Sequence, residues 1–151
     1  MKLIFLEIHG VLMLPVCESV ARLLQKPINA FQPAVDALNK ITDATGAQIV
    51  VTSAWRNSGH SLMETKFKEW GVKGKVLDIT PIGAGKEEEI SRYLIWATTP
   101  ESYVVIDTVE IGNTGYAALS NFAVKIGDTD RGLTEEEAQI AIAILNKVRL
   151  N

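Results

Sequence analysis

Polar residues that could do chemistry stand directly after the first apolar run of this chain. Glu7 and His9 follow residues 3–6 and flank Ile8, so their side chains project to the same side of an extended backbone. Gly10 lets the chain turn immediately afterwards. A carboxylate beside an imidazole could bind a ligand or transfer protons. The bland alternative is an ion pair or hydrogen bond at the edge of a sheet.

Hydroxyl groups follow a second apolar run, which ends at Thr52 and Ser53. A phosphate oxygen could meet these hydroxyls at the end of a strand. The alternative for Thr52 is a hydroxyl that is hydrogen-bonded within the protein. Arg56 has two interpretations that the sequence does not separate, because it could bind phosphate or hold its own loop in place.

A lysine and a second carboxylate come further along the chain. Lys86 comes after Gly83 and Gly85 and opens a helix, but the glycine spacing is not that of a P-loop. The alternative for Lys86 is a solvated lysine in the first helical turn. Asp107 ends an apolar run that begins at Ser102.

Alternating apolar runs and amphipathic segments predict an α/β fold with a central, mostly parallel sheet and helices on both faces. Buried strands of this kind place ligand sites at their carboxyl ends. The predicted strands are residues 3–8, 47–52, 76–81, 102–108 and 122–126, and the predicted helices are residues 17–25, 33–45, 61–70, 87–97 and a last one from 135.

Two Ser/Thr-x-x-Glu sequences predict capping boxes at helix starts. They are Ser61 with Glu64, and Thr134 with Glu137. His60 is expected to be a surface residue that precedes the first of these helices.

The composition is that of one globular domain, covering residues 1–151, with no linker or repeat. A net charge of -3 gives no global reason to bind nucleic acid or an acidic membrane, although a local basic patch stays open. Cys17 is the only cysteine, which favours a reducing, cytoplasmic environment. The first apolar run is too short for a signal-peptide core, and no segment is long enough to span a membrane.

Four segments together resemble the motifs of the haloacid dehalogenase (HAD) phosphohydrolases. Residues 7–12, Glu-Ile-His-Gly-Val-Leu, stand where that family has Asp-x-Asp-Gly-x-Leu or Val. Thr52, Lys86 and Asp107 stand at the second, third and fourth motifs. Residues 45–56, with Trp55 next to an arginine, are similar to the small HAD domains of bacterial RNA-repair proteins. The resemblance implies a three-layer, Rossmann-like HAD fold without a large cap domain.

The resemblance also implies that the strands containing Glu7, Thr52 and Asp107 lie adjacent and parallel, with the three residues at their carboxyl ends in one cleft. Lys86, at the third-motif position, is then the nearest expected cation. We expect it to pair with Glu7 or Asp107, because an isolated carboxylate in a cleft is costly to desolvate.

The resemblance also implies roles for these residues. Glu7 stands at the position of the phosphorylated nucleophile and His9 at that of the acid/base, while Thr52 and Lys86 would contact or neutralise the phosphate. Glu7, His9 and Asp107 would hold Mg²⁺, and Ser53 and the neighbouring arginine, at position 56, would bind substrate.

Three departures from the family pattern bear on activity. The carboxylate of Glu7 lies one methylene further out than that of aspartate, and a displacement of about 1 Å costs on the order of a hundredfold in rate. His9 adds no negative charge beside a metal ion. Thr108 stands where the family usually has a second acid, which removes an oxygen ligand and is expected to weaken Mg²⁺ binding.

Three functional interpretations are compatible with these residues. The first is a HAD-like domain that has lost phosphotransfer and acts as a binding or regulatory module. The second is a divergent Mg²⁺-dependent phosphohydrolase acting on a nucleotide, another phosphorylated small molecule or a nucleic-acid end. The third is a structural partner of another protein, for which an exposed apolar face near residues 11–16 would be the sign.

Overall fold

The computed structural model describes residues 1–112 and 115–147. Its strands are β1 (Lys2–Leu6), β2 (Gln48–Val51), β3 (Val76–Ile79), β4 (Ser102–Asp107) and β5 (Ala123–Lys125). Its α-helices are α1 (Pro15–Leu24), α2 (Gln32–Thr45), α3 (His60–Glu69), α4 (Lys86–Trp96) and α5 (Glu135–Leu145). Two short 3₁₀ helices, Ala54–Ser58 and Ala117–Phe122, lie in the connections.

The five strands form one sheet in the order β3-β2-β1-β4-β5, and every neighbouring pair is parallel. The predicted α/β architecture is confirmed, with a described sheet that is parallel throughout rather than mostly so. From β1 the chain first builds outward to β3 and then returns to the other side of β1 with β4. Such a reversal opens a crevice at the carboxyl ends of the two central strands, where α/β folds bind ligands.

Alternating residues of each central strand face opposite layers of helices. Ile4 and Leu6 of β1 belong to the larger core, which α2, α3 and α5 cover. Leu3 and Phe5 belong to a smaller core on the other face, where α4 contributes Ile90 and Tyr93. Because both faces are covered, β1 is apolar from Leu3 to Leu6, as is typical of a central parallel strand.

The boundaries of two helices were predicted from capping signals, with different outcomes. At α5, Thr134 Oγ1 accepts the backbone N–H of Glu137 at 3.3 Å, and the predicted capping box is present. At α3 the prediction was wrong, because the helix begins at His60 and Ser61 lies inside it. His60 Nε2 donates to the carbonyl of Val76 at 2.8 Å, and this contact with β3 ties the extra residue into the helix.

The segment between β1 and α2 contains only α1, so no large cap domain follows β1. Residues 11–14 are buried, so the exposed apolar face near residues 11–16 that would have been the sign of a structural partner is absent for most of its length. Exposed apolar side chains begin at Val16 and continue along α1 at Val20, Leu23 and Leu24. An apolar groove of about 490 Å³ lies between α1 and the start of α2.

Candidate active site

Three strand ends bring the expected site residues to one edge of the sheet. Glu7 follows β1, and its N–H donates to the carbonyl of Ile106 in β4 at 3.0 Å. Thr52 follows β2, and its N–H donates to the carbonyl of Leu6 at 3.0 Å. Asp107 is the last residue of β4. The prediction that these residues lie at the carboxyl ends of adjacent parallel strands is therefore confirmed.

Lys86 lies between the two carboxylates. It is the first residue of α4, and its Nζ lies 2.7 Å from Asp107 Oδ2 and also contacts Glu7 Oε2. The expected ion pair is present with both acids rather than one. Two carboxylates against one ammonium leave this cluster with a net charge of minus one.

The remaining oxygen of each carboxylate binds the backbone of its own loop. Glu7 Oε1 accepts the N–H groups of Ile8 at 2.8 Å and of His9 at 3.3 Å. Asp107 Oδ1 accepts the N–H groups of Thr108 at 2.6 Å and of Val109 at 3.3 Å. Each acid thus turns one oxygen to its own loop and the other to Lys86.

These contacts set the protonation of the cluster. Burial alone would raise the pKa of Glu7, but the hydrogen bond and charge of Lys86, with hydrogen bonds from Ser53 and Ile8, hold it below its ordinary value. Burial alone would lower the pKa of Lys86, but hydrogen bonds and charges of Asp107 and Glu7 raise it above its ordinary value. Glu7 and Lys86 are therefore charged at neutral pH.

His9 is exposed and is bound by the indole of Trp55. Trp55 Nε1 donates a hydrogen bond to His9 Nε2, and the two nitrogens lie 2.5 Å apart. Because an indole N–H only donates, Nε2 acts as the acceptor, and the neutral ring carries its proton on Nδ1. The indole is supported in turn by an edge contact with Trp70, at 5.3 Å between ring centroids. No local pattern predicted this partner for His9, although Trp55 is one of the residues that carry the family resemblance.

The hydroxyls after β2 are buried. Thr52 Oγ1 has no hydrogen-bond partner among the residues that the structure describes. Ser53 Oγ accepts the N–H of Trp55 at 3.3 Å and also bonds Glu7. Ser53 therefore stabilises both its own loop and the Glu7 carboxylate. Its role in binding substrate stays a prediction.

Arg56 is engaged within the protein. Its Nη1 donates to the carbonyl of Thr52, and its Nη2 lies 2.8 Å from Glu89 Oε2 in a buried ion pair. Of the two interpretations left open by the sequence, this geometry favours the one in which Arg56 holds its own loop. Sequence reasoning missed Glu89, since it is one of three consecutive glutamates in α4.

Two pockets lie near the cluster. A pocket of about 280 Å³ lies beside the loops of the two carboxylates, and is lined by His9, Gly10, Thr108 and Glu18 of α1, among others. A second pocket, of about 660 Å³, includes Lys86 in its lining. Of the three charged groups of the cluster, only Lys86 lines either of these two pockets.

The residues present do not fit a Mg²⁺ site well. No group of three or more His, Cys, Asp or Glu side chains in residues 1–112 and 115–147 is arranged to hold a metal ion. Mg²⁺ prefers oxygen ligands in octahedral geometry, whereas Glu7 and Asp107 are both engaged by Lys86 and His9 offers nitrogen. A metal role for Glu7, His9 and Asp107 stays a prediction, and we assign no chemical step to a metal ion.

One comparison with known proteins decides the family. The sequence model of the HAD domain in Swiss Army Knife RNA repair proteins matches residues 3–138. This chain belongs to that HAD family. No curated protein and no solved structure matches it. Among the described residues, no helix has the length and apolarity needed to cross a membrane.

Membership of the HAD family relates the observed cluster to the four HAD motifs. The strand ends at Glu7, Thr52 and Asp107, with Lys86 opposite, reproduce the arrangement that the resemblance implied for the four HAD motifs. The identities of the residues at the two first-motif positions differ from the HAD pattern. The HAD-like fold is present, and Glu7 and His9 stand where the family pattern has aspartates.

Proposed function

We propose that this HAD domain has lost phosphotransfer, or retains it only weakly, and acts as a binding or regulatory module. The observation that carries the proposal is the state of the two first-motif residues. Glu7 is held by its own loop and by Lys86, and His9 Nε2 is taken by Trp55. Neither group is held ready for the role of the aspartate it replaces.

The charge of the cluster supports the same proposal. A phosphoryl group needs positive charge to offset its own, but Lys86 is already outnumbered by Glu7 and Asp107. Arg56, the nearest other candidate cation in the motif segments, is neutralised by Glu89. The cations at the site therefore have little charge left to stabilise a phosphoryl group in transfer.

The alternative is a divergent Mg²⁺-dependent phosphohydrolase. It is favoured by one specific observation, namely that Glu7, Lys86 and Asp107 are kept in mutual contact at the sheet edge. In this alternative His9 would act through its Nδ1–H, because Nε2 accepts from Trp55.

For either function, a phosphorylated small molecule or a nucleic-acid end is the proposed ligand class, and the cytoplasm is the proposed location. Support for the nucleic-acid end comes from the family description, which names RNA repair. A protein partner stays part of the proposal, since α1 leaves apolar side chains exposed.

Hydrolysis of p-nitrophenyl phosphate with Mg²⁺ tests the loss of catalysis. We expect little or no turnover by the unmodified protein, and measurable turnover after Glu7→Asp with His9→Asp, because the two missing carboxylates are restored. Adding Thr108→Asp should lower the Mg²⁺ requirement by supplying another oxygen ligand. Lys86→Ala in the restored background should abolish turnover again.

Two results would separate the alternatives. Robust turnover by the unmodified protein, lost on Glu7→Gln, would establish the divergent enzyme. If the unmodified protein is inactive, binding of nucleoside monophosphates and short 5′- or 3′-phosphorylated RNA can be followed by tryptophan fluorescence, because Trp55 lies against His9. Binding that is stronger for phosphorylated than for unphosphorylated RNA would support the module proposed first.

A further inference from the structure

A buried ion pair connects the loop after β2 with the helix that carries Lys86. The side chains of Arg56 and Glu89 are 9% and 5% exposed, and their contact joins residues 33 positions apart. Arg56 also donates to the carbonyl of Thr52, at the end of β2. Glu89 Oε1 accepts the N–H of Gly83 at 2.9 Å, in the loop that leads into α4. One chain of contacts therefore runs from β2 to the loop before Lys86.

Lys86 stands within the part of α4 that this pair holds. Glu89 lies three residues after Lys86, so the two side chains leave neighbouring positions of the first helical turn. From that turn Lys86 reaches both Glu7 and Asp107. A shift of the first turn of α4 would move the ammonium away from at least one of the two carboxylates.

Stability alone is a poor explanation for this pair. Taking two charges out of water is expensive, and a buried ion pair is often no more stabilising than apolar residues of the same volume. Two polar atoms at the pair also lack partners, since Arg56 Nε and Thr52 Oγ1 have no hydrogen-bond partner in the described part of the chain. What the pair does supply is geometry, because a guanidinium donates in fixed directions.

We propose that Arg56 and Glu89 form a brace that positions Lys86 between Glu7 and Asp107. Arg56 and Glu89 are positioning residues and touch no ligand themselves. The brace joins Thr52, at the end of β2, and Lys86, at the start of α4, into one rigid unit. It concerns the same site as the proposed function but requires no phosphotransfer, so the two can fail separately.

The ammonium signal of Lys86 in ¹H–¹⁵N NMR spectra tests the brace directly. Hydrogen bonds to two carboxylates should slow the exchange of its protons with water, and the signal is assigned by its loss in Lys86→Met. In Arg56→Met and in Glu89→Gln we expect this exchange to accelerate by about tenfold or more, as for groups released from a stable contact. The ammonium of Lys40, which pairs with Glu135 on the surface, serves as an internal reference.

A matched control lies on the same helix. Arg92 pairs with Glu88 at 2.5 Å, but Arg92 is 56% exposed, so Arg92→Met removes an α4 ion pair without touching the brace. Lys86 exchange should be unchanged in Arg92→Met. Circular dichroism confirms that each variant is folded.

A conservative variant keeps the test decisive if Arg56→Met does not fold. Arg56→Lys retains the charge, but a single ammonium does not reproduce the fork that reaches both Thr52 and Glu89. Accelerated Lys86 exchange in folded Arg56→Lys supports the brace. Unchanged Lys86 exchange in any folded Arg56 or Glu89 variant overturns it, and so does equal acceleration in Arg92→Met.

Discussion

The loops after β1 and β4 present their carboxylates in the same way although one carries glutamate and the other aspartate. In each, one oxygen accepts the next two backbone N–H groups and the other faces Lys86. The extra methylene of Glu7 is accommodated by folding its carboxylate back over its own loop. The comparison teaches that glutamate and aspartate can make the same contacts with a shared lysine despite their different side-chain lengths.

The two loops differ in the residues that come after the carboxylate. His9 is exposed and bound to Trp55, whereas Thr108 is half-buried, and its methyl group packs against Gly10. Gly10 has a φ of +76°, and a Cβ there would lie 2.8 Å from Thr108 Cγ2, so only glycine suits this approach. An acid of the HAD pattern is missing from both loops, but only the β1 loop has gained a group capable of proton transfer.

Removing Lys86, the cation that both loops share, should have the largest effect on stability. We expect Lys86→Met to lower the free energy of unfolding by about 3 kcal/mol at pH 7, because two buried carboxylates lose their partner. This is the low end for a buried pair, since the Lys86 side chain is 28% exposed. The measurement is urea unfolding. Lys40→Met, which breaks an exposed pair, should cost less than about 1 kcal/mol, and equal losses would contradict the prediction.

The direction of the Lys86 pKa shift determines the pH at which its contribution to stability should be measured. The pKa of Lys86 is raised above its ordinary value of 10.5, so the contribution is complete below that pH and is lost as the pH rises through the folded-state pKa. A measurement at pH 7 therefore records the whole effect of the lysine.

Much of the fold and the position of this cluster could be predicted from local sequence. Apolar runs that end in Glu7, Thr52 and Asp107 predicted strands with polar ends, and the resemblance of four short motifs to the HAD family predicted that these ends meet at one edge with Lys86 beside them. These features depend on residue types close together in the chain, so a pattern can reveal them.

Contacts set by packing between distant elements could not be predicted in this way. Trp55 meets His9 across 46 positions and Arg56 meets Glu89 across 33, and no local pattern selects those partners. The predicted start of α3 failed for a similar reason, because the bond from His60 to β3 is formed only in the folded protein. The sequence-based predictions therefore failed or were incomplete where tertiary contacts override local signals.

The substitution Glu7→Gln should distinguish the contribution of Glu7 to stability from that of Asp107 through its dependence on pH. The pKa of Glu7 is held below its ordinary value of 4.5, so its contribution is complete above that pH and is lost as the pH falls through the folded-state pKa. We expect the variant to lose about 1–2 kcal/mol at pH 7, less than Lys86→Met because Asp107 still pairs with the lysine.

Urea unfolding at several pH values checks this prediction. The difference between Glu7→Gln and the unmodified protein should shrink as the pH falls below 4.5, the ordinary pKa of the carboxyl, and vanish once the pH has passed through the lower folded-state pKa of Glu7. Glu110→Gln, which breaks an exposed pair with Lys125, serves as the control and should have a small effect at every pH. A Glu7→Gln loss that does not change with pH would mean that packing, and not charge, is the main contribution of Glu7.

The smallest effect is expected from Trp55→Phe, which keeps a ring against Trp70 but removes the N–H that His9 Nε2 accepts. One exposed hydrogen bond is worth about 1 kcal/mol or less in the free energy of unfolding. The sharper measurement is the pair of ¹⁵N imidazole shifts of His9, which should move from a single Nδ1–H tautomer toward an average of both. Trp96→Phe, at a residue that is 82% exposed, is the matched control. Unchanged shifts in Trp55→Phe would show that Trp55 does not set the His9 tautomer, and the β1 loop would then differ from the β4 loop in residue type alone.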